Sequence, residues 1–137
     1  MYTDLYKNFL SSDATLQVYD GDTLVFSSKK ERLLPLMEYI AGVGAARSSV
    51  TIFDRVMGNA AALLSVKAKS REVFSPLGSE IAIKTLEKYG IAYHLPETVP
   101  FILRPDGVRM CPMEELSIGK EPEEFYLELL ARIAAGR

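Results

Sequence analysis

A chain of 137 residues with 48% apolar and 25% charged residues can bury one core of its own and lacks the charge excess of a disordered chain. Its formal charge of -2, with no long basic block, gives no electrostatic footprint for DNA or RNA. A single cysteine, Cys111, and a single histidine, His94, exclude an internal disulfide and a Cys/His zinc site.

Residues Asp4 to Leu10 place Leu5 and Phe9 four apart beside Tyr6 and Leu10, which predicts a short opening helix. Met1 to Leu10 offer neither a basic leader nor a long apolar core, so no signal peptide is expected. No apolar run reaches the length of a membrane span, and with the sparse cysteine this points to a reducing cytoplasm. Leu16, Val18, Leu24 and Phe26 alternate with their neighbours on either side of Asp20-Gly21-Asp22, predicting a β-hairpin from Ala14 to Ser27. Ser28-Lys29-Lys30-Glu31 reads as a capping box for a helix carrying Leu33, Leu34, Met37, Ile40 and Ala41, which stops at Gly42-Val43-Gly44.

Val50-Thr51-Ile52-Phe53 has the β-branched and aromatic run of a buried central strand. Asp54 follows it, and Val56 to Val66 form a nearly continuous apolar segment with small residues at Gly58, Ala60, Ala61 and Ala62. That segment predicts a core helix packed on a sheet. Lys67, Lys69 and Arg71 then read as a solvated helix end. Glu72 to Phe74 predicts a brief strand, Ser75 to Gly78 a turn, and Ser79-Glu80 the start of a helix ended by Gly90. Ile91 to Leu95 resumes as strand, and the alternation of strand and helix implies a parallel sheet. Pro96 to Lys120 is rich in Pro and Gly and irregular, with a short strand at Phe101 to Leu103 and a turn at Pro105-Asp106-Gly107. A last helix runs from Glu121 to Ala134. With no repeat and no linker composition, residues 1–137 read as a single α/β domain.

Several strings, in this order, carry a family resemblance. They are Asp54-Arg55-Val56-Met57-Gly58-Asn59-Ala60-Ala61-Ala62, Ser79-Glu80 leading to Gly90-Ile91, Val99-Pro100-Phe101-Ile102, and Cys111-Pro112-Met113-Glu114. Over nearly the whole chain the sequence resembles the domain-of-unknown-function 1893 family of small bacterial and archaeal proteins. The resemblance implies a three-layer α-β-α, cytidine-deaminase-like fold in which a β-hairpin precedes alternating helices and mostly parallel strands.

Zinc-dependent deaminases bind metal through H-x-E and P-C-x-x-C strings at two helix starts. This chain has neither string, and Cys111-Pro112 reverses the Pro-Cys order, so a zinc deaminase is not expected, nor is any cofactor. Two helix starts beside neighbouring strand ends still make a crevice for a small polar or anionic ligand, a nucleotide derivative for example. Its expected lining is Ser28, Lys29, Asp54, Gly58 and Asn59. The plainer reading has Ser28 capping a helix, Asp54 neutralising a helix start and Asn59 bonding locally. Cys111 is the candidate nucleophile for a metal-independent enzyme, although Glu114 and Glu115 nearby favour its neutral thiol. A pairing of Cys111 with His94 is less expected than a hydrogen-bonded His94 at a strand end. A homo-oligomer built on the hairpin edge or the last helix is a third reading. Scarce Gln, Asn and Cys beside frequent Lys and Glu fit a thermophile.

Overall fold

The computed structural model describes residues 2–136. Helix α1 (Tyr2–Ser11) leads into the hairpin of β1 (Leu16–Asp20) and β2 (Thr23–Ser28), turned at Gly21 with φ of 63°. The sheet is completed by β3 (Val50–Asp54), β5 (Ser70–Phe74) and β7 (Ala92–His94), in the order β2-β1-β3-β5-β7. Strand β1 runs antiparallel to both neighbours, while β3, β5 and β7 are mutually parallel.

Between the parallel strands lie α3 (Asn59–Lys67) and α4 (Glu80–Lys88), preceded in the chain by α2 (Leu34–Ala41). Because β3, β5 and β7 advance in one direction, crossovers of one hand lay α3 and α4 on the same face. Side chains that alternate along β3 divide accordingly. Val50 and Ile52 enter the core with α3, and Phe53 joins α1 on the other face. The fold is thus a mixed sheet flanked by helices, unevenly. Helix α1 alone covers one face with Phe9, Tyr6 and Tyr2 around Phe53, while the remaining helices cover the other. Helix α3 has every residue from Asn59 to Ser65 buried, because α6 (Pro122–Ala135) closes over it with Phe125 and Leu129.

The structure corrects the sequence reading where strands are shortest. Val56–Met57 is not the start of a helix but β4, and Leu77–Ser79, read as part of a turn, is β6. With β8 (Glu97–Val99) they make a second, parallel three-stranded sheet in the order β4-β6-β8. Each long strand breaks, at Arg55, Ser75-Pro76 or Leu95-Pro96, and then pairs again. A proline has no N–H for the ladder, so two of the three breaks follow from the residue itself. Two- and three-residue strands are too short to show an alternation in sequence. At Gly78 a Cβ would stand 2.5 Å from Leu95 Cδ1, so a side chain there would have to displace the Leu95 side chain packed on the second sheet. Phe101 to Leu103 is no strand. Only Leu103 forms a bridge, to Met110, and the rest of the excursion contains a further short helix, α5 (Pro112–Ser117).

The predicted capping box at Ser28 is also absent. Strand β2 extends through Ser28, Arg32 takes φ of 62°, and α2 begins only at Leu34 with no side-chain cap. By contrast Ser79 does cap α4, accepting from the Ala82 N–H at 3.0 Å, and Gly90 ends the turn after it with φ of 73°.

Arg55 ties the two faces together. Its guanidinium donates to the carbonyls of Phe9, Leu10, Ser12 and Ala14 at 2.8–3.3 Å and lies 4.3 Å above the Phe9 ring. A cation at a helix C-terminus satisfies carbonyls that have no partner within the helix and opposes the macrodipole. Arg55→Ala should therefore cost about 2–4 kcal/mol in urea unfolding, with amide exchange accelerated in α1 ahead of α3. Arg55→Lys should recover only part of the loss, because an ammonium cannot fork to several carbonyls.

Candidate functional site

At the carboxyl end of β3 the chain leaves a cleft of about 660 Å³. Its walls come from four places: Thr15 just before β1; Glu31, Arg32 and Leu33 ahead of α2; Asp54, Arg55, Val56, Gly58, Ala60 and Ala61 around the start of α3; and residues of the excursion between Ile102 and Glu114. This position, outside the carboxyl ends of parallel strands and at a helix start, is where open α/β sheets leave room for ligands.

Glu114 builds the site. It is 2% exposed, and its two carboxylate oxygens accept from the Asn59 N–H at 2.5 Å and the Ile102 N–H at 2.6 Å. A carboxylate 55 residues away thus supplies the anion that the start of α3 lacks, since Gly58 at the N-cap has no side chain to offer. Gly58 also admits it, because a Cβ there would stand 2.9 Å from Ile102 Cγ1 and 3.2 Å from Glu114 Oε1. The next two residues of the turn, Ala60 and Ala61, line the cleft, and their amides have no protein acceptor among the described residues.

The predicted lining divides. Asp54 and Gly58 line the cleft, as does the half-buried Cys111, whose N–H donates to the Ile102 carbonyl at 2.8 Å. Ser28 and Lys29 do not. The Ser28 hydroxyl accepts from the Lys30 N–H at 3.1 Å, and Lys29 pairs with Asp13 at the surface. Asn59 is turned inward, 3% exposed. Its amide donates to the Ser117 hydroxyl and carbonyl at 3.0 and 3.2 Å, and its oxygen accepts from the Thr85 hydroxyl. That network locks α3, α4 and α5 together, so Asn59 holds the frame rather than facing the cleft.

His94 and Cys111 are not brought together. The imidazole stacks on Phe74 with ring centroids 4.1 Å apart and bonds the Glu72 carboxylate at 2.5 Å, outside the cleft. Among the described residues no three His, Cys, Asp or Glu side chains converge as a metal-ligand group. The residues that sequence reasoning missed are Arg32, Arg104 and Glu114. The position of Glu114, three after Cys111, gave it weight only as a charge near the thiol.

A family model described as a domain of unknown function (DUF1893) matches residues 5–132. The chain belongs to the DUF1893 family. Its structure is similar to that of a DUF1893 family protein (TM1506) from Thermotoga maritima, with a TM-score of 0.81 at 29% identity. The match covers 94% of this chain and 87% of that one. No curated protein matches. Among the described residues of this DUF1893 protein no helix is long and apolar enough to cross a membrane.

Asp54 is the titrating group of the cleft. Burial pushes its carboxyl up to about 7, against the opposing pull of the Arg55 and Val56 N–H groups and the Arg55 guanidinium. The unfolded chain releases this proton near 3.8 and the folded chain near 7, so the folded state binds more protons between those values. Stability falls as pH rises through that window. Asp54→Asn, which keeps an oxygen for the Arg55 N–H, should stabilise the protein by about 1–3 kcal/mol at pH 8 and by little below pH 4, read by urea unfolding at both pH values.

Proposed function

We propose that this DUF1893 protein is a small-ligand-binding module on a cytidine-deaminase-like scaffold that works without metal. The observation that carries the reading is the cleft of about 660 Å³ at the carboxyl end of β3, within the size range of small-molecule sites. The hairpin followed by alternating helices and parallel strands supports the scaffold reading. The chain lacks the ligand strings of zinc deaminases, and its one histidine lies outside the cleft, which supports a role other than metal-assisted deamination. The ligand is a small polar or anionic compound, a nucleotide derivative among the candidates.

Native mass spectrometry of the purified protein, compared with its denatured mass, tests this. A non-covalent adduct lost on denaturation is expected. It should be absent from Val56→Trp, which puts a large ring into the cleft from a wall position exposed enough to accept it. A bare protein that also gives no thermal shift with a panel of small organic acids and nucleotides would sink the reading.

A second reading rests on Cys111, which the fold brings to the same wall. In that case the thiol adds across an electrophilic carbon–carbon or carbonyl double bond of the bound compound: the S–C bond forms as that π bond breaks, the thiol proton ends on the compound, and nothing leaves. Iodoacetamide labelling of Cys111 at pH 7 well above the rate for an unstructured cysteine peptide selects this reading, and an ordinary rate removes it.

A further inference from the structure

We propose that the cleft takes a small organic anion, an apolar body bearing a carboxylate, sulfonate or phosphate group, with Arg32 and Arg104 clasping the anion from two separate walls. This rests on the ligand-binding reading of the same cleft and adds the chemical class.

Inside, the cleft offers mainly apolar surface, from Leu33, Val56, Ile102 and Met113, which suits the body of such a compound. Its charged lining is unbalanced. The Glu114 carboxylate is consumed by the Asn59 and Ile102 amides, and the Arg55 guanidinium by the carbonyls after α1. Glu31 lies on the wall ahead of α2, beside Arg32. Asp54 holds its proton up to about 7, so below neutral pH the cleft carries an excess of positive charge. Several cations elsewhere are matched, among them Lys29 with Asp13, Lys30 with Glu38, Arg47 with Asp20 and Lys67 with Glu123, so what sets Arg32 and Arg104 apart is their place on the lining of one cleft. Among the described residues neither Arg32 nor Arg104 forms an ion pair within 4.0 Å; the Arg104 guanidinium bonds the Met110 carbonyl at 3.4 Å and lies near enough to Asp106 to help draw its carboxyl down.

The backbone sets both arginines in place. Arg32 is one of three non-glycine residues at positive φ, a conformation that costs about 1–2 kcal/mol for a residue with a Cβ. The other two, Ser49 and Lys69, bond each other at the amino ends of β3 and β5, away from the cleft. Arg32 keeps its strained backbone at the cleft wall, where glycine would fit at no cost. Arg104 sits in a hairpin closed at its base by Cys111 N–H to the Ile102 carbonyl and along its arms by Arg104 N–H to the Arg109 carbonyl at 2.7 Å. Asp106 accepts from the Val108 and Arg109 amides at the tip, which also draws its carboxyl below the usual range. The arm carrying Arg104 is therefore a formed structure that overhangs the cleft, and a guanidinium on it can meet an anion in bidentate fashion.

Fluorescence titration with 8-anilinonaphthalene-1-sulfonate, an aromatic body bearing one sulfonate, against its uncharged counterpart N-phenyl-1-naphthylamine tests the class. Wild-type protein should bind the sulfonate at one site, with the Met113 methyl resonance shifting. Arg32→Gly with Arg104→Ala should weaken it about tenfold or more while changing the uncharged dye by less than about twofold. Glycine accepts the φ at position 32 and Arg104 is exposed, so unfolding is not expected, and a matching thermal transition verifies it. Arg104→Lys should restore part of the sulfonate affinity. Equal binding of both dyes by wild type and by the double variant would overturn the anion class and leave the ligand reading standing. Failure of both dyes to bind, or retention of both in Val56→Trp, would overturn the cleft reading itself.

Discussion

The constraint on which the rest of the structure depends is the enclosure of α3. A helix that is apolar all round must be surrounded, and only a sheet on one side with several helices on the other provides that. The small side chains Ala60, Ala61 and Ala62 let these neighbours approach closely, and α6 closes what the two crossovers leave open. Enclosure then raises a polar problem, since a buried helix start has amides that water cannot reach. Glu114 solves part of it with a carboxylate brought from the far end of the chain to the Asn59 N–H, while the buried Asn59 side chain finds its own partners in Thr85 and Ser117. Each of these bonds is worth more for the burial around it, because an unpaired polar group there costs about 1–3 kcal/mol.

Glu114 links packing to the site. The excursion from Ile102 to Glu114 has few buried apolar side chains of its own, so its placement depends on the two amides that the carboxylate holds. By occupying the first amide of α3 it takes the place an external anion would have at an open helix start. The amides of Ala60 and Ala61, next in the turn, have no protein acceptor among the described residues.

How much of this was readable in the sequence follows from the range of each signal. The hairpin, α1, α4 with its Ser79 and Gly90 ends, and α6 were readable because period, cap and turn residues lie within a few positions of one another. The second sheet was not, since β4, β6 and β8 have two or three residues each and the apolar Val56-Met57 suits strand and helix equally. The Ser28 capping box had the right letters, but the ladder to β1 was satisfied first and took Ser28 into β2. A crevice at the start of α3 was expected; of its expected lining Asp54 and Gly58 border the cleft, Ser28, Lys29 and Asn59 do not, and Cys111, expected only as a candidate nucleophile, borders it too. Arg55 and Glu114 eluded the reading because Arg55 reaches carbonyls more than forty residues away and Glu114 bridges the Asn59 amide, 55 residues away, to that of Ile102, and no local pattern encodes such pairings.

A comparison within the fold explains why the cleft belongs to β3 and not to β5. The same unit of strand, break, short strand and helix occurs at both places. After β5 the unit closes on itself: Ser79 caps α4 with its own hydroxyl, and Gly78 packs directly on Leu95. After β3 the cap position holds Gly58, which has no side chain, and the missing acceptor comes from another part of the chain. Bringing it there places a long excursion above the strand end without filling the space beneath, and that space is the cleft. The departure from a local cap is a conflict between local and global preference of the kind that collects at functional sites. Here it leaves Asp54, half-buried, on the lining of one cleft with Cys111, Arg32 and Arg104, an arrangement that the self-capped crossover does not repeat.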